Sequence, residues 1–140
     1  MEGAGLMNSF SLKIVTPDGL QFDGLAEELI VRTTAGDLGI LAGHTDCVAP
    51  LGMGMATVLA DGQKRYAACI GGMVSVLNGE VKLVPTTFEW SDKIDLARAN
   101  AAAERAQAVL KDKSASYTDI RLAKARLRRA LVRRSVAEYK

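Results

Sequence analysis

The sequence predicts an α+β protein, in which an all-β sandwich of about ten strands precedes an antiparallel α-helical hairpin. Up to Pro85, short β-branched and apolar runs alternate with turn sequences. From Ser91 onward the chain has no proline or glycine and is rich in alanine, leucine, arginine and lysine, which is typical of helices. We therefore expect a disordered start over residues 1–7, a sandwich domain over 8–90 and a hairpin over 91–140.

The strands are predicted from six apolar runs, which read "SLKIVT", "ELIVRTT", "MATVLA", "RYAACI", "VSVLN" and "EVKLV". The turn sequences "PDG", "AGD", "ADG", "GG" and "NG" separate these runs at nearly regular intervals. Because hydrophobic residues make up 49% of the chain, this half has enough apolar side chains to form a core of its own. Regular short strands with such turns indicate a sandwich or a barrel.

The helical half is interrupted once, at "DKSAS" (112–116), which predicts two helices of about 20 residues each. Ser91 is the expected N-cap of the first helix, with Asp92 in its first turn, while Ser116 and Asp119 fit a capping box for the second. Because the link is short, the helices should form an antiparallel hairpin. Apolar residues at helical spacing define the expected packing face of the second helix: Ile120, Ala123, Leu127, Ala130 and Leu131.

Charge is divided between the two halves. Residues 1–90 carry five Lys or Arg and ten Asp or Glu, whereas residues 91–140 carry thirteen and six. Seven of the basic residues lie between Arg121 and Arg134. Such a helix can bind a nucleic-acid backbone or an acidic protein surface, or it can simply face solvent. Nucleic acid is disfavoured, because this half and its border contain only one tryptophan and two tyrosines for stacking on bases.

The stretch "GDLGILAGHTDCVAPLGMG" (36–54) contains the only histidine, His44, close to Asp46 and Cys47. It lies between expected strands, whose alternation directs neighbouring side chains to opposite faces, which argues against a Cys–His nucleophile. No second histidine supplies metal ligands, and "GMGM" lacks the Lys-Ser/Thr ending of a phosphate loop. We expect a tight glycine loop here, and we expect Cys47 and Cys69 to be buried free thiols.

Four segments, in order across nearly the whole chain, resemble one family: "TPDG", "GDLGILAGHTD", "IDLARA" and "RRSVAEYK". Together they are similar to the epsilon subunit of the bacterial-type rotary ATP synthase. The resemblance implies a non-catalytic central-stalk subunit with no required cofactor, held in the F1 sector at the cytoplasmic face of the bacterial membrane. The implied partners are the gamma subunit, the c-ring and the alpha and beta subunits, with no nucleic acid and with membrane contact only through the complex.

The resemblance also implies roles for three sets of residues. The glycine-rich loop would dock on partners through Gly39, Ile40, Leu41, Gly43 and His44. The second helix would block rotation in the hydrolysis direction by contacting an acidic segment of the beta subunits through Arg126, Arg128, Arg129, Arg133 and Arg134. ATP, which some bacterial members bind in the closed hairpin as a regulatory ligand, would be held by Glu89, Ile94, Asp95, Arg98, Arg105, Arg129 and Arg133.

The residues themselves favour an anion site in the hairpin. At 100° per residue, Asp95, Arg98 and Arg105 fall within about 80° on one side of the first helix. Arg129 and Arg133 are four residues apart and form a second cationic pair, which an antiparallel hairpin brings alongside the first. A salt bridge from Asp95 to a facing arginine is the alternative interpretation of this motif. The alternative at the level of function is a free-standing nucleic-acid or phospholigand-binding module with a basic helical tail.

Overall fold

A computed structural model describes residues 8–139 as a β-sandwich followed by two helices, so the predicted fold class is confirmed. The strands are β1 (Phe10–Thr16), β2 (Gly19–Ala26), β3 (Glu28–Thr33), β4 (Gly36–Leu41), β5 (Cys47–Pro50), β6 (Met53–Ala60), β7 (Gln63–Leu77) and β8 (Glu80–Trp90). A 3₁₀ turn (Ser91–Lys93) leads to helices α1 (Leu96–Lys111) and α2 (Tyr117–Ala137). The expected disordered start over 1–7 lies outside the described residues.

The two layers of the sandwich share the long hairpin formed by β7 and β8. The first half of β7 pairs with β6 and with the end of β8, whereas its second half pairs with β5 and with the start of β8. β1 and β2 extend one layer, and β3 and β4 extend the other. The expected count of about ten strands was too high: residues 8–139 contain eight, because β7 and β8 each continue through the bend and contribute to both layers.

The bend in β7 depends on two consecutive glycines with positive φ, Gly71 and Gly72. A Cβ atom on Gly72 would lie 2.1 Å from the carbonyl oxygen of Val84, so no other residue fits at this position. The "GG" that the sequence suggested as a turn between two strands is therefore a bend within one strand.

Alternating side chains from both layers fill the core. Phe10, Leu12 and Ile14 of β1 all point inward, because alternate residues of a strand face the same side of the sheet. Cys69 belongs to the same core, and burial raises the pKa of its thiol to about 12. Cys47 was expected to be buried as well, but it is half-buried because it begins β5, which pairs with a single neighbouring strand. No helical residue that the structure describes belongs to this core, so the sandwich does not need the helices to complete it.

The helices pack through small side chains. The buried residues of α1 are Ala99, Ala103 and Ala106, and those of α2 are Ala123, Ala130 and Val136. Burying an alanine methyl contributes about 0.8 kcal/mol, compared with about 1.5 to 3 kcal/mol for a leucine side chain. α2 also lies on β6, β7 and the 3₁₀ turn, so the hairpin is closed against the sandwich. It is held there by contacts that are individually weak.

The packing face of α2 differs in part from the expected one. Ala123 and Ala130 are buried as predicted, and Ile120 and Leu127 are half-buried. Leu131 is 40% exposed, because the buried face turns toward Val136, on the other side of the helix. Within residues 8–139, no helix combines the length and apolar character that a bilayer crossing requires.

One of the two predicted helix starts is correct. The Ser116 hydroxyl accepts the N–H of Asp119 at 3.1 Å, and the Asp119 carboxylate accepts the N–H of Ser116 at 3.3 Å, which confirms the capping box of α2. Ser91 is not the N-cap of α1, because it begins the 3₁₀ turn. Asp95 caps α1 instead, and its Oδ1 accepts the N–H of Arg98 at 3.0 Å. The helices contain 16 and 21 residues.

Candidate ligand groove and docking surfaces

A large open groove separates the hairpin from the sandwich, with a volume of about 1460 Å³. The sandwich side is formed by the end of β3, the start of β6 and the bend of β7 and β8, and the helical side by α1, the interhelical link and α2. Six arginines line this arginine groove: Arg32, Arg105, Arg126, Arg128, Arg129 and Arg133. Among its described lining residues, only Asp112 and Asp119 are acidic, so the groove favours an anion.

Three of the seven residues implied for ATP line the groove directly, namely Arg105, Arg129 and Arg133. Glu89 is brought to it by an ion pair in which Nε of Arg133 donates to Oε1 of Glu89 at 2.5 Å. The two side chains are 27% and 33% exposed, so this pair is partly shielded from solvent. The Glu89–Arg133 pair joins α2 to β8 and so fastens the hairpin to the sandwich.

The other three implied ATP residues lie outside the groove. Asp95 precedes α1 as its cap, Arg98 is exposed in the first turn, and Ile94 is half-buried in the preceding link. The salt bridge considered from Asp95 to a facing arginine is not formed among residues 8–139, where the ion pairs are Arg32–Asp37 and Arg133–Glu89. In this closed arrangement Asp95 of "IDLARA" therefore stabilises the N-terminus of α1.

A second contact fixes the C-terminal end of the hairpin. The ring centroids of Tyr66, in β7, and Tyr139, just after α2, are 5.0 Å apart. Ala67 follows Tyr66 and pairs with Trp90, the only tryptophan in the chain. The guanidinium of Arg65 lies 3.7 Å from the centroid of the Trp90 ring. Trp90 therefore lies close to the place where α2 ends, and its fluorescence can report on hairpin closure.

Four of the five basic residues implied for inhibition line the groove. Arg126, Arg128 and Arg129 are exposed and Arg133 is half-buried, and these four line the groove. Arg134 is exposed outside it. The same guanidinium groups are therefore implied for two roles. A groove closed on a ligand and an acidic partner surface cannot occupy them at the same time.

The stretch expected to be a docking loop is mostly a strand. Residues Gly36–Leu41 form β4, which pairs with β3, and the loop itself covers only residues 42–46. Ile40 is completely buried in the core, which removes its side chain from any docking surface. The remaining implied residues reach the surface in whole or in part: Gly39, Leu41, Gly43 and His44.

The polar side chains of this stretch bind backbone groups. The Nδ1 atom of His44 lies 2.7 Å from the carbonyl oxygen of Thr45, and Oδ1 of Asp46 accepts the N–H of Asn78 at 3.0 Å. The Asp46 bond ties the loop to the turn between β7 and β8. Across the part of the chain that the structure describes, no group of three or more His, Cys, Asp or Glu residues is placed to hold a metal ion.

An apolar stripe crosses the outer face of the layer that does not carry the hairpin. Pro50 pairs with Met73, Met73 pairs with Val84, and Leu20 pairs with Val15. The parallel pairing of β1 with β8 places Val15 beside Val84, so the five residues form one row. Met73 is 43% exposed, Val84 49% and Leu20 57%, although the face of a sheet that is turned to solvent is usually polar. Exposed apolar surface of this kind indicates a protein interface.

Family comparisons match both halves of the chain. The beta-sandwich domain of the ATP synthase delta/epsilon chain matches residues 9–91, and the long alpha-helix domain of the same chain matches residues 92–138. An ATP synthase epsilon chain from Ruminococcus albus is 42% identical over 135 residues, covering 96% of this chain and 100% of that protein. A Bacillus velezensis ATP synthase epsilon chain is also 42% identical, over 131 residues, with 94% and 98% coverage.

Two solved structures have a similar fold. A chain of the Euglena gracilis mitochondrial ATP synthase (OSCP/F1/c-ring) aligns with a TM-score of 0.76 and 24% identity, covering 86% of this chain and 76% of that one. A chain from the Tetrahymena thermophila mitochondrial ATP synthase (central stalk/c-ring) aligns with a TM-score of 0.59 and 14% identity, with 91% and 95% coverage. At these identities, the alignments support the fold.

Proposed function

Because the chain belongs to the ATP synthase delta/epsilon chain family, as a non-catalytic epsilon subunit of the rotary ATP synthase's central stalk, we propose that its hairpin is a regulatory brake on ATP hydrolysis. The observation that carries this proposal is the closed hairpin, in which a basic helix lies on the sandwich and is fastened to it by one partly exposed ion pair and one ring contact between Tyr66 and Tyr139. Contacts this small can be exchanged for another surface at little cost.

The sandwich provides the docking surfaces. The apolar stripe of Pro50, Met73, Val84, Val15 and Leu20 is the proposed contact with the gamma subunit, since it is exposed in the isolated chain and crosses five strands. The loop over 42–46 and the exposed end of β4 give a second surface, which we assign to the c-ring. These contacts would hold the subunit at the cytoplasmic face of the bacterial membrane without any membrane contact of its own.

The basic residues of α2 explain why inhibition would require an open hairpin. In the closed arrangement Arg126, Arg128, Arg129 and Arg133 line the groove. Once the hairpin extends along gamma, the same residues can meet an acidic segment of the beta subunits. The closed hairpin is then the uninhibited state and the extended hairpin the inhibited one.

ATP is the proposed ligand of the closed state. Arg105 on α1, together with Arg129 and Arg133 on α2, presents guanidinium groups from both helices to one groove, which suits the oxygens of a triphosphate. A ligand that binds only the closed state stabilises it by RT ln(1 + [L]/Kd), about 2.7 kcal/mol at a hundredfold excess over Kd. High ATP would thus keep the brake released.

A chain truncated after Trp90 tests the brake. The core contains no helical residue, so this chain should fold and still join gamma. ATP synthase reconstituted with it should hydrolyse ATP faster than the complex with the full chain. Normal assembly with an unchanged hydrolysis rate would overturn the brake, and loss of assembly would overturn the assignment of docking to the sandwich.

A further inference from the structure

Arg32 differs from the other arginines of the groove because it comes from the sandwich. It is the penultimate residue of β3, and its side chain is fixed in two ways. Its Nε donates to Oδ1 of Asp37 at 2.6 Å. Its aliphatic stem lies against the backbone of Gly52 and Gly54, where a Cβ atom on Gly54 would be 2.6 Å from Cβ of Arg32.

The glycine at position 54 is explained by this close approach. Gly54 lies within β6 and is not among the glycines with positive φ, so its backbone conformation does not require glycine. Glycine inside a strand is unfavourable unless another group must come close. A Cβ at this position would also lie 3.1 Å from Cγ of Arg32, and one on Gly52 would lie 3.4 Å from the same atom. The two glycines therefore form a trough that holds the Arg32 stem.

A simple surface ion pair does not account for this arrangement. Arg32 and Asp37 face each other in the register of β3 and β4, and their side chains are 50% and 59% exposed. An exposed pair of this kind contributes only about 0.2 to 1 kcal/mol. The second contact, from Nη2 of Arg32 to Oδ2 of Asp37, is long at 3.5 Å. Most of the guanidinium donors therefore remain available to a ligand in the groove.

We infer that Arg32 binds the polyphosphate chain of the groove's ligand from the sandwich side, opposite Arg105, Arg129 and Arg133 of the hairpin. This inference rests on the anion site of the proposed function and extends it. A ligand bound by the hairpin alone would hold the two helices together. A ligand that also contacts Arg32 would bridge the hairpin to the sandwich, which is the contact that must break for the hairpin to extend.

Nucleoside triphosphates and inorganic polyphosphate share this chemistry, so the test titrates the full chain calorimetrically with ATP and, separately, with tripolyphosphate. Arg32→Gln should weaken binding about tenfold or more, because it removes a charge-assisted contact. Lys64→Gln is the matched control: it removes one exposed positive charge from the sandwich outside the groove, and it should leave both affinities unchanged.

Two further variants separate position from charge. Gly54→Ala keeps the Arg32 charge but displaces its stem, and it should weaken binding several-fold. Asp37→Asn removes the competing carboxylate and should leave binding equal or tighter. Equal weakening by Arg32→Gln and Lys64→Gln would indicate only long-range charge and would overturn the inference.

The two ligands also separate this inference from the proposed function. ATP binding that depends on Arg129 but not on Arg32 would overturn the inference alone. Arg32-dependent binding of tripolyphosphate without any binding of ATP would support the inference and overturn ATP as the regulatory ligand. An absence of binding by both ligands at millimolar concentration would overturn both.

Discussion

The Glu89–Arg133 pair is the contact whose removal should open the hairpin most directly. It joins β8 to α2 across 44 residues of sequence, and Nε of Arg133 lies 2.5 Å from Oε1 of Glu89. We predict that Glu89→Gln and Arg133→Gln each shift the hairpin toward its open state. The double variant should open it by less than the sum of the two single effects, since the second substitution has no pair left to break.

The size of this effect follows from the exposure of the pair. A hydrogen bond to a charged group contributes about 1.5 to 3 kcal/mol to stability, whereas an exposed ion pair contributes about 0.2 to 1 kcal/mol. Because the two side chains are 27% and 33% exposed, their pair falls between these limits. A coupling of about 1 kcal/mol corresponds to about a fivefold change in the ratio of open to closed hairpins.

Energy transfer from Trp90 can measure that ratio. Glu138→Cys places a label beside Tyr139, at the end of α2 that lies near Trp90 in the closed hairpin. Cys47→Ser removes the half-buried native thiol, and Cys69 should resist labelling because burial raises its pKa to about 12. Transfer should decrease in each single variant. Arg134→Gln serves as a control, because it removes a neighbouring exposed charge without touching the pair.

A coupling energy of zero in this double-mutant cycle would refute the reasoning, since it would mean that the pair forms without holding the hairpin. An effect of Arg134→Gln as large as that of Arg133→Gln would also refute it. Such a result would assign closure to the overall charge of α2.

Three further predictions concern other parts of the molecule. Met73→Glu in the apolar stripe should prevent co-purification with gamma, while Lys64→Glu on the other layer should not; equal retention of both would remove the stripe from the interface. Alanine at five basic residues of α2 should relieve inhibition: Arg126, Arg128, Arg129, Arg133 and Arg134. Added salt should have the same effect, because exposed charges are screened over about 8 to 10 Å at physiological ionic strength. Inhibition that does not change with salt would indicate apolar packing instead. Burial raises the pKa of Cys69 from 9.0 to about 12, so the unfolded chain loses the thiol proton first and the free energy of unfolding should fall as pH rises above 9, by up to about 1.4 kcal/mol per pH unit. Denaturant melts at pH 8 and pH 10.5 measure this loss of stability. The loss between the two pH values should be smaller in Cys69→Ala.

Features set by local chemistry could be predicted from the sequence. The capping box at Ser116 and the interhelical link depend on residues a few positions apart, and both are found. The start of α1 was misplaced because two capping residues, Ser91 and Asp95, lie within one turn of each other. Ser91 is the first of the two along the chain, but the chain makes a 3₁₀ turn there before α1 begins.

Features set by pairing between distant strands could not be predicted in the same way. "GDLGIL" contains two glycines and resembles a loop, but its pairing with β3 makes it a strand and buries Ile40. The apolar stripe consists of single residues on five strands, which become neighbours only in the folded sheet. Val15 and Val84 belong to the apolar runs "SLKIVT" and "EVKLV", which the sequence predicts as strands. Nothing in the sequence shows that the two residues lie side by side.

The groove combines both cases. Arg105, Arg129 and Arg133 could be predicted, because helical spacing and the hairpin bring them together. Arg32 could not be predicted, because its place in the groove depends on how α2 lies on the sandwich and on the trough formed by Gly52 and Gly54.

The central claim is that the hairpin must open to inhibit, and a cross-link that locks it closed tests this most directly. In a Cys47→Ser background, Glu89→Cys and Arg133→Cys can be joined by a short bismaleimide that reductant cleaves, replacing the native pair with a covalent link. ATP synthase containing the locked chain should hydrolyse ATP as fast as the complex with the chain ending at Trp90. Cleavage of the link should slow hydrolysis, because four of the five basic residues implied for inhibition remain. A locked chain that inhibits as strongly as the cleaved one would contradict the account.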